Sequence, residues 1–383
     1  MTTETSAEQR LFRETNAEFI EESASVPQTR ALWKEGKSFE RDWWQQATEL
    51  GWTSLLVPEE LGGGSASGEG VLDLVSVAQL IGRHVSPGPL NVVSTAIAGL
   101  VHPAASGEHE ELLEGLMTGE TIASWAVHGT GAAWNPLAPT VTAAKSGSGW
   151  KLDGTATSVE FGAESDVILV VASTGDGVVE LVVPTDAAGL TVTPTGSVDF
   201  VRKFAELSFA GVEVGPEAVV AEGAAAAEVV TAQARLMNVL QVNESVGALD
   251  RVFEFTLQWG FDRYSFGRPL VDYQALKHRY ADDFVHLQQS QAIAAAAARA
   301  LQQGSSSAAE LISSAKSYVG DEGVQIVQSS AQLHGGLSQT LDHDVNVYLR
   351  RVMLGRNLYG TPREHRVLVA DLINDEEKKG AAA

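Results

Sequence analysis

The sequence contains no cysteine, few basic residues and no long apolar run. Without cysteine, the chain forms no disulfide, thiolate zinc site, iron–sulfur cluster or cysteine nucleophile. Its 26 lysines and arginines are outnumbered by 49 acidic residues, giving a formal net charge of −23. Such a surface repels nucleic-acid phosphates and anionic membranes, so we expect neither as a partner.

Targeting signals and metal motifs are also missing. No stretch approaches the roughly 20 apolar residues that span a bilayer. The N-terminus lacks the basic and apolar regions of a secretory signal, so we expect a cytoplasmic protein. The nine histidines show no metal-ligand spacing, and we expect no metal site.

The 383 residues, 44% of them hydrophobic, are enough for two or three domains. Apolar residues recur at helical spacing through residues 1–120, which predicts an N-terminal helical domain. Residues 121–222 change to short Val- and Thr-rich runs with turn residues between them. Because these gaps are too short for crossover helices, we predict an antiparallel β domain and no Rossmann fold. Long helical periods over 223–383 predict a C-terminal bundle and oligomerisation domain.

Three groups of motifs follow this helical, β, helical order. The first runs from Trp52 to Gly63 and ends in Pro-Glu-Glu-Leu-Gly-Gly. The second is Arg-Tyr-Ser-Phe-Gly-Arg-Pro at 263–269, with Gln274 after it. The third is Gln-Leu-His-Gly-Gly at 332–336, followed by Tyr-Leu-Arg-Arg at 348–351. In this order and at these intervals, the motifs resemble those of the acyl-CoA dehydrogenase family.

The resemblance implies a mainly helical α+β fold: an N-terminal helical domain, a middle β domain and a C-terminal four-helix bundle. It also implies FAD as cofactor and an acyl-CoA as substrate. In the family, a carboxylate removes an α-proton while a β-hydride passes to the flavin, and an electron-transfer flavoprotein accepts the electrons. Each flavin lies between two subunits, so one subunit provides a cis half of the site and its neighbour a trans half.

The trans half is retained. The resemblance assigns cofactor contacts to nine residues: Arg263, Ser265, Phe266, Leu270, Tyr273, Gln274, Gln332, Gly335 and Gly336. A guanidinium suits a diphosphate, and glycines let backbone amides approach an anion closely.

The cis half departs from the family pattern. A Trp-Ala-Val-His-Gly-Thr-Gly-Ala string at 125–132 replaces the segment at the pyrimidine edge of the flavin. His128 and Thr130 are partial substitutes, although solvated loop residues are the simpler interpretation. Residues 155–161 replace the strand behind the isoalloxazine.

The catalytic base is missing as well. Tyr359 occupies the usual position of the glutamate before a Gly-Thr pair, and a phenol with an ordinary pKa near 10 is a poor base. Met237 occupies the other position used in the family. Glu244, two helical turns later, is a fallback base but is better interpreted as a structural carboxylate. Glu364 is expected to face away. We therefore predict no catalytic residue in this chain.

These departures favour one subunit of an α2β2 heterotetramer, as in the actinobacterial branch that acts on steroid side chains. A homologous partner subunit would supply the catalytic glutamate. The alternatives are a homotetrameric dehydrogenase with a relocated base, a flavin-dependent monooxygenase on the same fold and a purely structural subunit.

Overall fold

The structure is a computed structural model that describes residues 6–106, 109–129, 131 and 133–382, with side chains up to residue 374. The N-terminal part is helical, as predicted. Its α-helices have these bounds: α1 Ala7–Ser23, α2 Val26–Lys34, α3 Arg41–Glu49, α4 Gly70–His84, α5 Leu90–Leu100 and α6 Glu110–Thr118. Ser6 begins α1 with a reciprocal capping box to Gln9.

The middle part is a twisted sheet between α6 and the next helix. Its strands are β1 Ala123–Ala126, β2 Thr142–Ser146, β3 Gly149–Glu160, β4 Val167–Ser173, β5 Val178–Pro184, β6 Leu190–Thr195, β7 Phe204–Val214 and β8 Val219–Glu222. They pair in the order β6-β7-β3-β2-β4-β5-β8, with β1 beside β4.

The antiparallel prediction for this sheet needs one correction. Most neighbours are antiparallel, but β1 pairs with β4 in parallel, and β2 meets β4 in parallel at one residue pair. Short gaps between strands exclude parallel pairing only for strands that are consecutive in the chain. Here β2 and β3 lie between β1 and β4 in the chain and provide the crossover that a helix normally provides.

The C-terminal part returns to long helices. Its elements are α7 Ala224–Asp262, the short strands β9 Tyr264–Ser265 and β10 Arg268–Pro269, then α8 Gln274–Gln302, α9 Ala308–His334, α10 Asp344–Asn357 and α11 Pro362–Ala382. The backbone of α11 continues as a helix to Ala382.

Two glycines let α4 and α7 cross in backbone contact. A Cβ on Gly82 would lie 1.8 Å from the carbonyl oxygen of Glu244, and one on Gly247 would lie 1.9 Å from that of Gln79. The crossing fixes the middle of α7 against the N-terminal helices, so the Glu244 side chain is buried where all three parts of the chain meet.

The order of helices, strands and helices is confirmed. The described helices include none that is both long and apolar enough to cross a membrane. The described residues also contain no cluster of three or more potential metal ligands.

Candidate functional site

The motif at 263–269 forms a tight hairpin directly after α7. Strands β9 and β10 pair antiparallel. At the tip, Phe266 has a positive φ of 48° and a side chain that is 98% exposed. The Tyr273 hydroxyl donates to the Ser265 carbonyl oxygen at 2.6 Å, and the guanidinium of Arg268 lies 3.9 Å from the centre of the Tyr273 ring. Tyr273 thus braces the hairpin, while the ring of Phe266 projects into solvent.

The hairpin and the end of α9 border one open cleft of about 500 Å³, which we name the cradle. Its lining includes five of the nine predicted cofactor residues: Arg263, Ser265, Leu270, Gly335 and Gly336. The structure therefore brings together residues about 70 positions apart in the sequence. Phe266, Tyr273, Gln274 and Gln332 lie on the flanking hairpin and helices and are not part of the lining.

The cradle fits an anionic ligand. Among the described residues, no carboxylate forms an ion pair with Arg263, whose guanidinium lies 5.7 Å from the centre of the Trp259 ring. Gly335 ends α9 with a φ of 65°, and no atom lies within 4 Å of a Cβ built on Gly335 or Gly336. An unpaired cation and an approachable glycine backbone are what a diphosphate needs.

In the second half of the site, residues at the positions assigned to the flavin ring and the base contact each other. The Tyr359 hydroxyl donates to Oε2 of Glu160 at 3.2 Å. Glu160 ends the strand that replaces the family's strand behind the isoalloxazine, and Tyr359 replaces the catalytic glutamate. The residues at these two positions are thus in direct contact.

Glu160 also belongs to a set of five buried, ion-paired residues. We name this set the charge network: Glu160, Asp199, Arg202, Glu244 and Arg351. Nε of Arg202 donates to Glu160 at 2.6 Å, and its Nη2 donates to Glu244 at 2.9 Å. Arg351 bridges Glu244, at 2.8 Å, and Asp199, at 2.6 Å. All five side chains are at most 5% exposed.

The Glu244 carboxylate is already bound within the chain and is therefore not available as a catalytic base. Its two carboxylate oxygens accept from Arg202, Arg351 and the side-chain amide of Asn91. The space beside the network is only about 10 Å³, at or below the limit for one water molecule. Met237, at the family's alternative base position, is fully buried in the core.

The network carries one more carboxyl group than guanidinium. Burial, in first place, raises the pKa of Glu160, although Arg202 and the Tyr359 hydroxyl oppose the shift. Burial, together with the neighbouring Glu160 carboxyl, also raises the pKa of Tyr359 well above its ordinary value. Tyr359 is therefore a hydrogen-bond donor and cannot serve as a proton acceptor at neutral pH.

Aromatic rings fill the remaining space around Tyr359. The Trp125 ring stacks on it, with 6.3 Å between ring centroids, and Trp134 meets it edge-on at 5.9 Å. His128 is half-buried near Trp134, with 6.1 Å between ring centroids, so it is not the solvated loop residue we expected. Thr130 lies outside the described residues.

Glu364 was expected to face away, which is wrong. Its carboxylate accepts from the backbone nitrogen and the hydroxyl of Thr361 at 2.8 and 2.7 Å, and from the backbone nitrogen of Trp134 at 2.8 Å. A helix N-terminus attracts anions. At the start of α11 that anion is a carboxylate of the chain itself, which leaves these donors unavailable to a phosphate.

Four residues of the charge network were not predicted as site residues: Glu160, Asp199, Arg202 and Arg351. The available signal was weak: Arg351 ends a quoted motif, and Asp199 and Arg202 are charged residues flanking two apolar ones. Their ion-pair partners lie far away in the sequence, so no local spacing predicts these pairs.

Comparison with known proteins agrees with this architecture. Residues 6–120 match the acyl-CoA dehydrogenase N-terminal domain, and residues 221–373 match the acyl-CoA dehydrogenase C-terminal domain. Together the two matches cover more than half of the chain. The chain belongs to the acyl-CoA dehydrogenase family. Members of this family are oxidoreductases that bind FAD.

Individual acyl-CoA dehydrogenases are similar over most of their length. The chain is 28% identical over 364 residues to acyl-CoA dehydrogenase IpdE2 of Mycolicibacterium smegmatis, covering 94% of this chain and 96% of that protein. It is 26% identical over 330 residues to acyl-CoA dehydrogenase FadE27 of Mycobacterium tuberculosis, covering 83% and 84%.

Solved structures share the fold. Butyryl-CoA dehydrogenase from Megasphaera elsdenii superposes with a TM-score of 0.87 at 17% identity, over 97% of this chain and 100% of that chain. A variant of the Tcur3481-Tcur3483 steroid ACAD superposes with a TM-score of 0.86 at 23% identity, over 98% and 99%.

The residues of the cradle fit FAD better than those of the cis half do. The cradle offers an unpaired guanidinium and open glycine backbone. Among the described residues of the cis half, Tyr359 and Glu160 bind each other, and Glu160 also pairs with Arg202 of the charge network.

Proposed function

We propose that this chain is the half-site subunit of a heteromeric, FAD-dependent acyl-CoA dehydrogenase. It contributes the trans half of the FAD site, chiefly Arg263, Ser265, Phe266 and the Gly335–Gly336 backbone. A homologous partner subunit holds the flavin ring and supplies the glutamate that removes the α-proton. When bound there, FAD accepts the hydride from the β-carbon of the acyl-CoA.

The observation that carries the proposal is the direct contact between Tyr359 and Glu160 in a chain whose cradle is open. A homomeric enzyme needs both halves in every subunit. Here one half is closed by buried ion pairs, and the other presents an unpaired arginine and a 98% exposed phenylalanine. An exposed aromatic ring on a braced hairpin is well suited to insertion into a partner's site.

Several finer features belong to the same proposal. The substrate is an acyl-CoA thioester, with a steroid side chain as the favoured acyl group. This choice is supported by the similarity to a two-component protein described as a steroid ACAD. The assembly is α2β2, the compartment is the cytoplasm and the electron acceptor is an electron-transfer flavoprotein. Within the chain, 1–120, 121–222 and 223–383 are the proposed domains.

The alternatives are less well supported. A relocated base at Glu244 conflicts with the two arginines and the asparagine that bind its carboxylate. A homomeric monooxygenase would need room for a flavin ring in every chain, whereas Tyr359 and Glu160 are in direct contact in the described cis half. A purely structural role does not explain why Arg263 is unpaired and why the cradle is open.

Co-expression with a homologous acyl-CoA dehydrogenase subunit tests the proposal. We expect an active complex in which a Gln replacement of the partner's catalytic glutamate abolishes dehydrogenation. Arg263→Ala in this chain should release FAD. Arg366→Ala, which alters an arginine of the same part of the chain paired with Asp321, is the matched control and should retain it. A chain that dehydrogenates an acyl-CoA by itself would contradict the proposal.

A further inference from the structure

A cleft of about 730 Å³ lies between α1, α2, α4, α7 and α10, and we name it the helical cleft. Its lining includes Arg13 and Ala17 of α1, Leu80 and Arg83 of α4, and Phe255 of α7. A cleft of this volume is large enough for a small molecule. The proposed function assigns no ligand to it.

Arg13 is half-buried in this cleft and forms no ion pair with a carboxylate among the described residues. Its Nη1 donates to the carbonyl oxygen and the hydroxyl of Ser76, at 3.5 and 3.3 Å, and to Oε1 of Gln79 at 3.3 Å. All three acceptors are neutral. Burial and the nearby Arg83 guanidinium lower the pKa of Arg13, and Asp250 opposes this shift. A guanidinium in this state is stabilised by a bound anion.

Side-chain amides fix the direction of the Arg13 guanidinium. Nε2 of Gln79 donates to Oδ1 of Asn243 at 2.9 Å, and Nδ2 of Asn243 donates to the Val239 carbonyl oxygen at 2.9 Å. The remaining amide oxygen of Gln79 accepts from Nη1 of Arg13. The other edge of the guanidinium, formed by Nε and Nη2, has no hydrogen-bond partner among the described residues. Such an edge binds a carboxylate through two parallel hydrogen bonds.

The charges around the helical cleft favour a ligand with a single negative charge. Arg83 is already paired with Asp250 and Glu254, at 2.6 and 2.5 Å, and Arg251 is paired with Glu254 at 3.1 Å. Three exposed carboxylates border the cleft and repel additional negative charge: Glu21, Asp342 and Asp344. One free guanidinium edge beside these carboxylates suits a monocarboxylate better than a phosphate dianion.

Apolar side chains form another part of the lining: Val26, Pro27, Leu80 and Phe255. Val26 and Leu80 are buried. The Phe255 ring packs on that of Tyr348, with 5.6 Å between ring centroids. This surface suits the apolar body of a ligand whose charged group lies at Arg13.

We propose that the helical cleft binds an apolar monocarboxylic acid, whose carboxylate pairs with the Nε–Nη2 edge of Arg13 and whose body packs on Leu80 and Phe255. The partners of Nη1, Ser76 and Gln79, line a neighbouring cleft of about 370 Å³ and not the helical cleft. The Nε–Nη2 edge is therefore the part of Arg13 left for the helical cleft. The inference goes beyond the proposed function, since it involves neither FAD nor a partner subunit.

3-Phenylpropionate is the probe for the full-length chain, and calorimetric titration measures its binding. We expect one molecule to bind per chain. The uncharged 3-phenylpropanamide and the ringless acetate should each bind at least about tenfold more weakly. Arg13→Gln should weaken 3-phenylpropionate binding by about tenfold to a hundredfold, the value of hydrogen bonds to a charged group.

Three further variants identify the cleft and the edge that bind the probe. Ala17→Phe fills the helical cleft without changing its charge and should block binding. Arg299→Gln is the matched control, since Arg299 lines the neighbouring cleft with Arg13 but not the helical cleft, and it should bind like the wild type. Arg13→Lys keeps the charge without the two-pronged edge, and should also weaken binding if Arg13→Gln does not fold.

Thermal unfolding shows whether each variant is folded before its binding is compared. Loss of binding in folded Arg13→Gln and Ala17→Phe, with retention in Arg299→Gln, supports the inference. Binding that survives Arg13→Gln or Ala17→Phe, or that is lost in Arg299→Gln, overturns it. Equal binding of the acid, its amide and acetate, or no binding of the acid, also overturns it.

Discussion

The Tyr359 hydroxyl donates to the Glu160 carboxylate across 3.2 Å and so joins the residue that replaces the family's glutamate to the end of β3. Tyr359 holds this position with a positive φ of 54°, a backbone conformation that is unfavourable for a residue with a side chain. The surrounding aromatic packing and buried ion pairs offset that cost. The contact thus belongs to a buried, closely packed part of the chain.

Removing this contact should destabilise the chain measurably. Tyr359→Phe leaves Oε2 of the buried Glu160 without its donor, so we expect the free energy of unfolding to fall by about 1–3 kcal/mol. Urea denaturation measures the change. Tyr264→Phe, at a residue 63% exposed, should stay within about 0.5 kcal/mol. Equal stability of both variants would show that the Tyr359–Glu160 contact is not formed.

The sequence predicted the cradle far better than the closed half. Arg263, Ser265 and Phe266 lie within four consecutive positions, and His334 is followed directly by two glycines. Residues so close together form local motifs, which can be recognised in a single sequence. The charge network joins Glu160, Arg202, Glu244 and Arg351 from β3, the loop before β7, α7 and α10. Such pairs depend on three-dimensional packing, which a single sequence does not display.

In the fold, too, local features were predictable from the sequence and contacts between distant segments were not. The order of helices and strands follows from hydrophobic period and turn residues, both of which are local. The parallel pairing of β1 with β4 joins segments separated in the chain by β2 and β3.

Removing the Glu244 carboxylate from the charge network should destabilise the chain, and an added carboxylate should restore part of the lost stability. Glu244→Ala leaves Arg202 and Arg351 buried without their shared partner, so we expect a loss of about 3–5 kcal/mol in the free energy of unfolding. Formate should restore part of it by occupying the vacated position between the guanidiniums.

Glu254→Ala is the matched control, since Glu254 also bridges two arginines but is 53% exposed. It should cost at most about 1 kcal/mol and show no formate response. A Glu244→Gln variant that keeps full stability while losing turnover would favour the relocated-base alternative instead.

A buried carboxyl behind Trp125 should make stability depend on pH. Glu180 is fully buried, forms no ion pair among the described residues and accepts from Nε1 of Trp125 at 3.2 Å. Burial raises its pKa to about 7. A raised carboxyl pKa gives stability that is complete below the unfolded pKa, near 4.5, and is lost as pH rises through about 7.

Glu180→Gln should remove this dependence, on the order of 3 kcal/mol between pH 4.5 and 8. The measurement is the difference between wild type and variant in urea denaturation at several pH values. Glu213→Gln, at an exposed residue of β7, should leave the wild-type curve unchanged. Parallel curves for wild type and Glu180→Gln would disprove the assignment.

The backbone contact between α4 and α7 should tolerate no side chain at Gly247. A methyl group there would lie 1.9 Å from the carbonyl oxygen of Gln79, so the helices must separate and Glu244 must move. We expect Gly247→Ala to lower the free energy of unfolding by more than about 2 kcal/mol, despite the better helix propensity of alanine. Gly175→Ala, with no atom within 4 Å of the new Cβ, should be nearly neutral in the same thermal or urea assay.

The flavin content of the purified proteins tests the central claim most directly. Visible absorption, converted to FAD per chain, should show no bound flavin in this protein alone, because its cis half is closed by the Tyr359–Glu160 contact and the charge network. The complex with its homologous partner should contain one FAD for each pair of unlike chains. One FAD per chain in this protein alone, or two per pair in the complex, would contradict the account.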